Sequence, residues 1–122
     1  MVEQSAVGCP LDPILRFLAL KWLVHIVWLL GRAPSLRFSE LQRDLPGDVS
    51  AKVLSGRLKE LETLEIVLRE DKGTSPPHVT YGLTARGRVL NEFLVGLEQQ
   101  SRQLPLPDIS GLSVEPETAG QK

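Results

Sequence analysis

Lys52, Ser55, Gly56 and Lys59 stand at offsets of zero, three, four and seven along one stretch, "AKVLSGRLKELE". On a helix that spacing stacks them on one face. The face would offer two ammonium groups, one hydroxyl and a bare patch of backbone. A small, cationic face of this kind can approach another surface closely. Ser50 adds a second hydroxyl at the start of the stretch. Arg57 lies at the margin, where its guanidinium could snorkel to a phosphate or pair with an acid. Arg37 and Lys72 are further cations on neighbouring segments. Glycine costs a helix about 1 kcal/mol relative to alanine, and Gly56 would let another surface come close. No acid interrupts the run from Ala51 to Lys59. The plainer alternative is a solvated helix face, but such faces are ordinarily rich in mixed Glu and Lys.

Other chemistries find less support. His25, His78 and Cys9 have no metal-site spacing, so no metal site is expected. His25 sits in an apolar run and reads as a core histidine. There is no Gly-rich phosphate loop and no nucleophile elbow, and neither an enzyme activity nor a cofactor is expected. Cys9 is either an inert thiol or a candidate redox sensor. It stands just ahead of a helix start, where the helix dipole favours a thiolate and the charge of Asp12 opposes it.

The composition of the 122 residues is that of one soluble globular domain with one modest core. A net charge of −1 does not advertise a nucleic-acid binder, but its distribution is uneven. Residues 13–62 hold eight Lys and Arg against five acids, a surplus of +3, whereas the last twenty residues carry −2. The longest apolar run, Trp22–Leu30, is too short to span a bilayer. No signal peptide is evident and a lone cysteine suits a reducing compartment, so a cytoplasmic protein without a membrane partner is expected.

These residues need elements to position them. Residues 1–8 read as a flexible arm and 105–122, rich in Pro, Gly and acid, as a disordered tail. Asp12-Pro13 reads as an N-cap and first turn of a helix reaching about Leu20. A second, nearly all-apolar helix to Leu30 should be the most buried, with Trp22 and Trp28 in the core; Gly31 ends it and Pro34 bars its continuation. Phe38, Leu41 and Leu45 mark a third, with Ser39 as its cap or just inside it. Pro46-Gly47 stops that helix, and Ser50 caps the next. In that helix, Ser50–Glu62, the stripe Leu54, Leu58 and Leu61 turns inward. A short helix, a tight turn and a longer helix make a helix-turn-helix. "EIVLRE" and "HVTYGLT", joined by "DKGTSPP", predict a β-hairpin. Thr84 caps a last helix whose stripe is Val89, Leu90, Phe93, Leu94 and Leu97. The fold class is mainly α with a small β-hairpin wing, an α+β winged helix-turn-helix over residues 9–104.

Seven pieces occur in register: "CP" at Cys9-Pro10, "KW" at Lys21-Trp22, "RFSEL" at Arg37–Leu41, "LPG" at Leu45–Gly47, "SAKVLSGRLKELE" at Ser50–Glu62, "PPHVTYGLT" at Pro76–Thr84 and "GR" at Gly87-Arg88. Together they resemble the HxlR-type winged helix-turn-helix transcriptional regulators, relatives of the MarR group. The resemblance implies a dimeric prokaryotic regulator of transcription, a repressor by preference. Its helix Ser50–Glu62 would enter the major groove of double-stranded DNA on an inverted-repeat operator. Some members use a cysteine placed like Cys9 as a sensor, which implies an oxidant or small-molecule effector. The homodimer interface is expected from Ile14, Leu15 and Leu18 with Leu90, Phe93 and Leu97. Three departures stand out: His78 replaces a basic residue, "LEIV" replaces "DGLV" after the recognition helix, and the wing is nearly neutral. A winged helix that binds protein and not DNA is the alternative.

Overall fold

The computed structural model describes residues 8–104, 106–108 and 110–111. The expected arm falls outside the described residues except for Gly8, and so does most of the expected tail. Among the described residues the order is α1 (Asp12–Leu18), α2 (Lys21–Leu30), β1 (Leu36–Arg37), α3 (Phe38–Asp44), α4 (Ala51–Thr63), β2 (Val67–Asp71), β3 (Val79–Leu83) and α5 (Ala85–Ser101).

The apolar helix α2 is the centre of the fold. Leu23, Ile26, Val27 and Leu30 are buried, and α1, α3, α4, α5 and β3 all pack on it. Leu41, Leu54, Leu58 and Leu61 complete the core from the two helices of the helix-turn-helix. Trp22 and Trp28 are only half-buried; Arg32 lies over the Trp28 ring at 4.1 Å and Lys21 over Trp22 at 5.0 Å. His25 is half-buried and held by the Lys21 carbonyl at 3.0 Å.

Both ends of α1 differ from the sequence reading. Asp12 is not the N-cap of α1. Leu11 occupies that position, and the Asp12 carboxylate accepts instead from Arg16 Nε at 2.7 Å. The helix stops at Leu18, so the chain breaks before α2. For α3 the N-cap is Arg37, whose N–H donates to Glu40 Oε1 at 2.8 Å, and Ser39 lies inside the helix. Gly31 does close α2, but with φ −78°, not as a left-handed cap. A Cβ there would meet the end of the Asn91 side chain of α5, which would have to turn aside.

β2 and β3 form the expected hairpin, paired from Val67↔Leu83 to Asp71↔Val79. A third strand is added. β1 pairs with β3 through Leu36↔Tyr81 and Arg37↔Thr80, giving the order β1-β3-β2. Two residues are too few to show a period of two, so this strand is invisible to pattern reading.

α4 ends on a left-handed residue, Glu65, at φ 61°. Ile66 N–H bonds the Leu61 carbonyl and Glu65 N–H the Glu62 carbonyl, both at 2.9 Å, which is the Schellman closure. That position ordinarily takes glycine, since a left-handed L-residue costs about 1–2 kcal/mol. The Glu65 side chain offsets little: its nearest cation, Arg86 Nη2, is 4.0 Å away and exposed. Glu65→Gly should therefore stabilise the fold by about 0.5–1 kcal/mol after the entropy of a more flexible unfolded chain is subtracted. Thermal unfolding reads this as a rise of a few degrees. A fall would mean that the side chain matters more than the strain.

Candidate nucleic-acid interface

The surface expected to meet DNA is built outward from the core. Leu54, Leu58 and Leu61 are 0–1% exposed and fix the rotation of α4. Ala51, Lys52, Ser55, Gly56 and Lys59 all face outward on the opposite side. The start of the helix is fixed by Ser50, whose Oγ accepts from Val53 N–H at 3.1 Å. The hydroxyl proton of Ser50 stays available to donate. Gln42 Nε2 of α3 donates to the Val49 carbonyl at 3.1 Å, tying the two helices across their turn. Sequence reading did not single out Gln42; a polar side chain late in the first helix of the motif was the only signal.

Gly56 is informative because nothing in the fold requires it. A Cβ there would meet no atom within 4 Å, and the residue lies in regular helix. Lys52 and Lys59 have no ion-pair partner among the described residues. Seven residues of helix rise separate them, about 10 Å.

The other candidate residues stand apart. Arg57 is drawn to the flank, three-quarters buried, with Nη1 on Glu60 Oε1 at 2.6 Å. Arg37 lies at the β1–α3 junction. Lys72 is on the wing, 3.6 Å from Glu70, so the wing partly neutralises its own charge. The open faces of α1 and α5 lie on different elements from this surface. There Ile14, Phe17, Leu90 and Phe93 line an apolar groove of about 530 Å³, with Val89 and Leu97 also exposed on α5. Leu94 departs from the expected stripe: it is 4% exposed and belongs to the core. Leu18 and Leu90 are half-buried and serve the core as well.

The start of α5 is latched to the end of α4. Thr84 Oγ1 donates to the Glu65 carbonyl at 2.7 Å and accepts from Gly87 N–H at 3.0 Å. Arg86 Nη1 donates to the Leu64 carbonyl at 3.1 Å. These bonds join the first turn of α5 to the residues that directly follow α4. No group of three or more His, Cys, Asp or Glu that could hold a metal occurs among the described residues. No single described helix is long and apolar enough to cross a membrane. Cys9 is exposed, and its Sγ accepts from Leu11 N–H at 3.4 Å.

A helix-turn-helix seated on α2, closed by a three-stranded sheet and carrying a cationic outer helix, defines a winged helix-turn-helix DNA-binding protein. Residues 17–105 match the family model described as HxlR-like helix-turn-helix. The chain belongs to the HxlR family of transcriptional regulators. It is 37% identical over 100 residues to the HTH-type transcriptional regulator YodB of Bacillus subtilis, covering 81% of this chain and 88% of that protein. It is 38% identical over 93 residues to the HTH-type regulator YvaP of the same organism, covering 76% and 84%. The reduced form of YodB superimposes with a TM-score of 0.69 at 31% identity over 84% of this chain and 99% of that one. YodB has also been solved diamide-treated and quinone-bound, with TM-scores of 0.64 and 0.63.

Proposed function

We propose that the chain acts as a homodimer on an inverted-repeat operator, with α4 of each subunit in the major groove. The outward face of α4 carries this reading: two lysines unpaired among the described residues, two hydroxyls and a glycine whose Cβ position is open. Lys52 and Lys59 contact phosphates or guanine edges, Ser50 and Ser55 donate to phosphates, and Gly56 lets the backbone come close. Arg37 and Lys72 make outlying phosphate contacts, and Arg57 reaches a phosphate only by leaving Glu60. A two-fold protein seated on promoter DNA excludes polymerase by occupancy, so repression is the proposed sign.

The dimer is formed by the apolar faces of α1 and α5. Ile14, Leu18, Leu90, Phe93 and Leu97 lie at its centre. Exposed apolar side chains of this size clustered on two adjacent helices are supported best by a self-complementary contact. Selecting bound duplexes from a random pool should return inverted repeats with half-site centres about 34 Å apart. Phe93→Glu would bury an unpaired charge, so it should sediment as a monomer and lose cooperative binding to the repeat. A dimeric Phe93→Glu protein would move the interface elsewhere. Recovery of no enriched sequence, with a protein captured in its place, would favour the rival interaction module.

Cys9 is proposed as the responsive group, in a chain similar to YodB, which has been solved quinone-bound and diamide-treated. It precedes α1, so an adduct adds bulk at the proposed interface and alters the spacing of the two α4 helices. Quinone should release operator DNA from the wild type by at least about tenfold while sparing Cys9→Ser. Equal loss in both proteins would leave Cys9 a bystander.

A further inference from the structure

A second concave site lies on the flank of α4, away from the α1–α5 groove. It is a groove of about 450 Å³ between the α1–α2 junction and the last turns of α4. Leu20, Leu23 and Leu64 form apolar walls, and Arg57, Lys59 and Glu60 supply its charges. Leu20 and Leu64 are 45% and 43% exposed. Two leucines left open beside a buried third are a poor solvated surface but a good floor for an apolar ligand. The volume falls within the usual range for small-molecule sites.

The charges choose the ligand. Arg57 and Glu60 neutralise one another at 2.6 Å, so Lys59 leaves the groove with one net positive charge. Arg57 is not fully satisfied by that pair: its Nε is buried with no hydrogen-bond partner among the described residues. A carboxylate brings four lone-pair sites to the Lys59 ammonium and to the Arg57–Glu60 pair. The geometry points to a binding site for a small organic monocarboxylate with an apolar body. Its ring or chain lies on Leu20, Leu23 and Leu64, and its carboxylate meets Lys59 and Arg57. An amine of the same shape would set its charge against Lys59, and a neutral amide would leave Lys59 unpaired.

Such a ligand acts on α4 directly. It draws Lys59 away from the outer face and competes with Glu60 for Arg57. Weakened DNA binding is the consequence, and this second step rests on the proposed placement of α4 in the major groove.

Isotope-labelled full-length chain titrated with 2-naphthoate, without DNA, tests the site by amide chemical shifts. Saturable shifts should centre on Leu20, Leu23, Thr63 and Leu64. 2-Naphthamide and 2-naphthylmethylamine should bind at least tenfold more weakly. Arg57→Gln should weaken naphthoate binding by a similar factor. If that variant is unfolded by circular dichroism, Leu20→Glu serves instead: it alters an exposed position, sets an acid against the carboxylate and should give the same loss. Shifts confined to the α1–α5 groove or to the outer face of α4, equal binding of acid and amide, or no saturable shift would overturn the site. A separate titration of operator binding then asks whether naphthoate weakens it in the wild type and spares Leu20→Glu. A site that binds naphthoate without affecting DNA retains the ligand proposal and overturns the coupling. Absence of DNA binding altogether overturns the proposed function alone.

Discussion

Gly87→Ala should destabilise the fold by about 3 kcal/mol, at the upper end of what forced overpacking costs. Gly87 is buried in the first turn of α5, and a Cβ there would run into the Ile66 carbonyl oxygen. That oxygen cannot simply retreat, because it accepts from Thr84 N–H at 3.0 Å. Leu83 Cδ2 stands at 3.0 Å on another side. Relief would require α5 to back away, breaking the cap that Thr84 provides. For a domain of this size the loss corresponds to a fall of about 10–20 °C in Tm. Gly56→Ala is the control: with open space around it, it should be neutral or stabilising by up to about 1 kcal/mol. A Tm unchanged in Gly87→Ala would mean that the α4–α5 latch is softer than its hydrogen bonds imply.

The double change Lys52→Ala and Lys59→Ala should weaken operator binding by at least about a hundredfold. Both side chains are exposed and unpaired among the described residues, so folding stability should hardly move. If both contact phosphates, the slope of log K against log salt should fall by about one per lysine, hence about four in a dimer. The loss would then be alike on all sequences. If one reads guanine, a single base position should lose its preference at a cost of about 1–3 kcal/mol. Equal affinity of the double variant and the wild type would put the DNA contact off this face. Melting curves of both proteins separate a lost contact from a lost fold.

The helix-turn-helix was readable because its signals are local. The Leu54–Leu58–Leu61 stripe, the Ser50 cap and the Pro46-Gly47 stop each act within one or two turns, and Thr84 capped α5 as its position implies. The stripe of α5 was read correctly as apolar, yet its periodicity could not tell Leu94, which is buried in the core, from Phe93, which is exposed. The ends of α1 were less readable. Asp12 is a good cap by type, but Arg16 one turn later offers its carboxylate a stronger partner. β1 and Gln42 depend on residues distant in sequence or on one hydrogen bond, and neither leaves a periodic trace. Arg57 was left between two partners by its helical position; Glu60, three residues on, holds it in the folded chain.

The pairing of β1 with β3 has a consequence for how the chain is made. Leu36 meets Tyr81, so the whole helix-turn-helix lies inside a loop of about 45 residues. Closing a loop of that length costs about 3 kcal/mol of chain entropy before the contact returns anything. During synthesis from the N-terminus, α3 and α4 emerge first and form their local turns and caps. Their seat on the sheet waits until β3 has left the ribosome. A nascent chain stopped before Val79 would carry Lys52 and Lys59 on a helix whose enclosing loop is still open, so the proposed DNA surface is completed late and all at once.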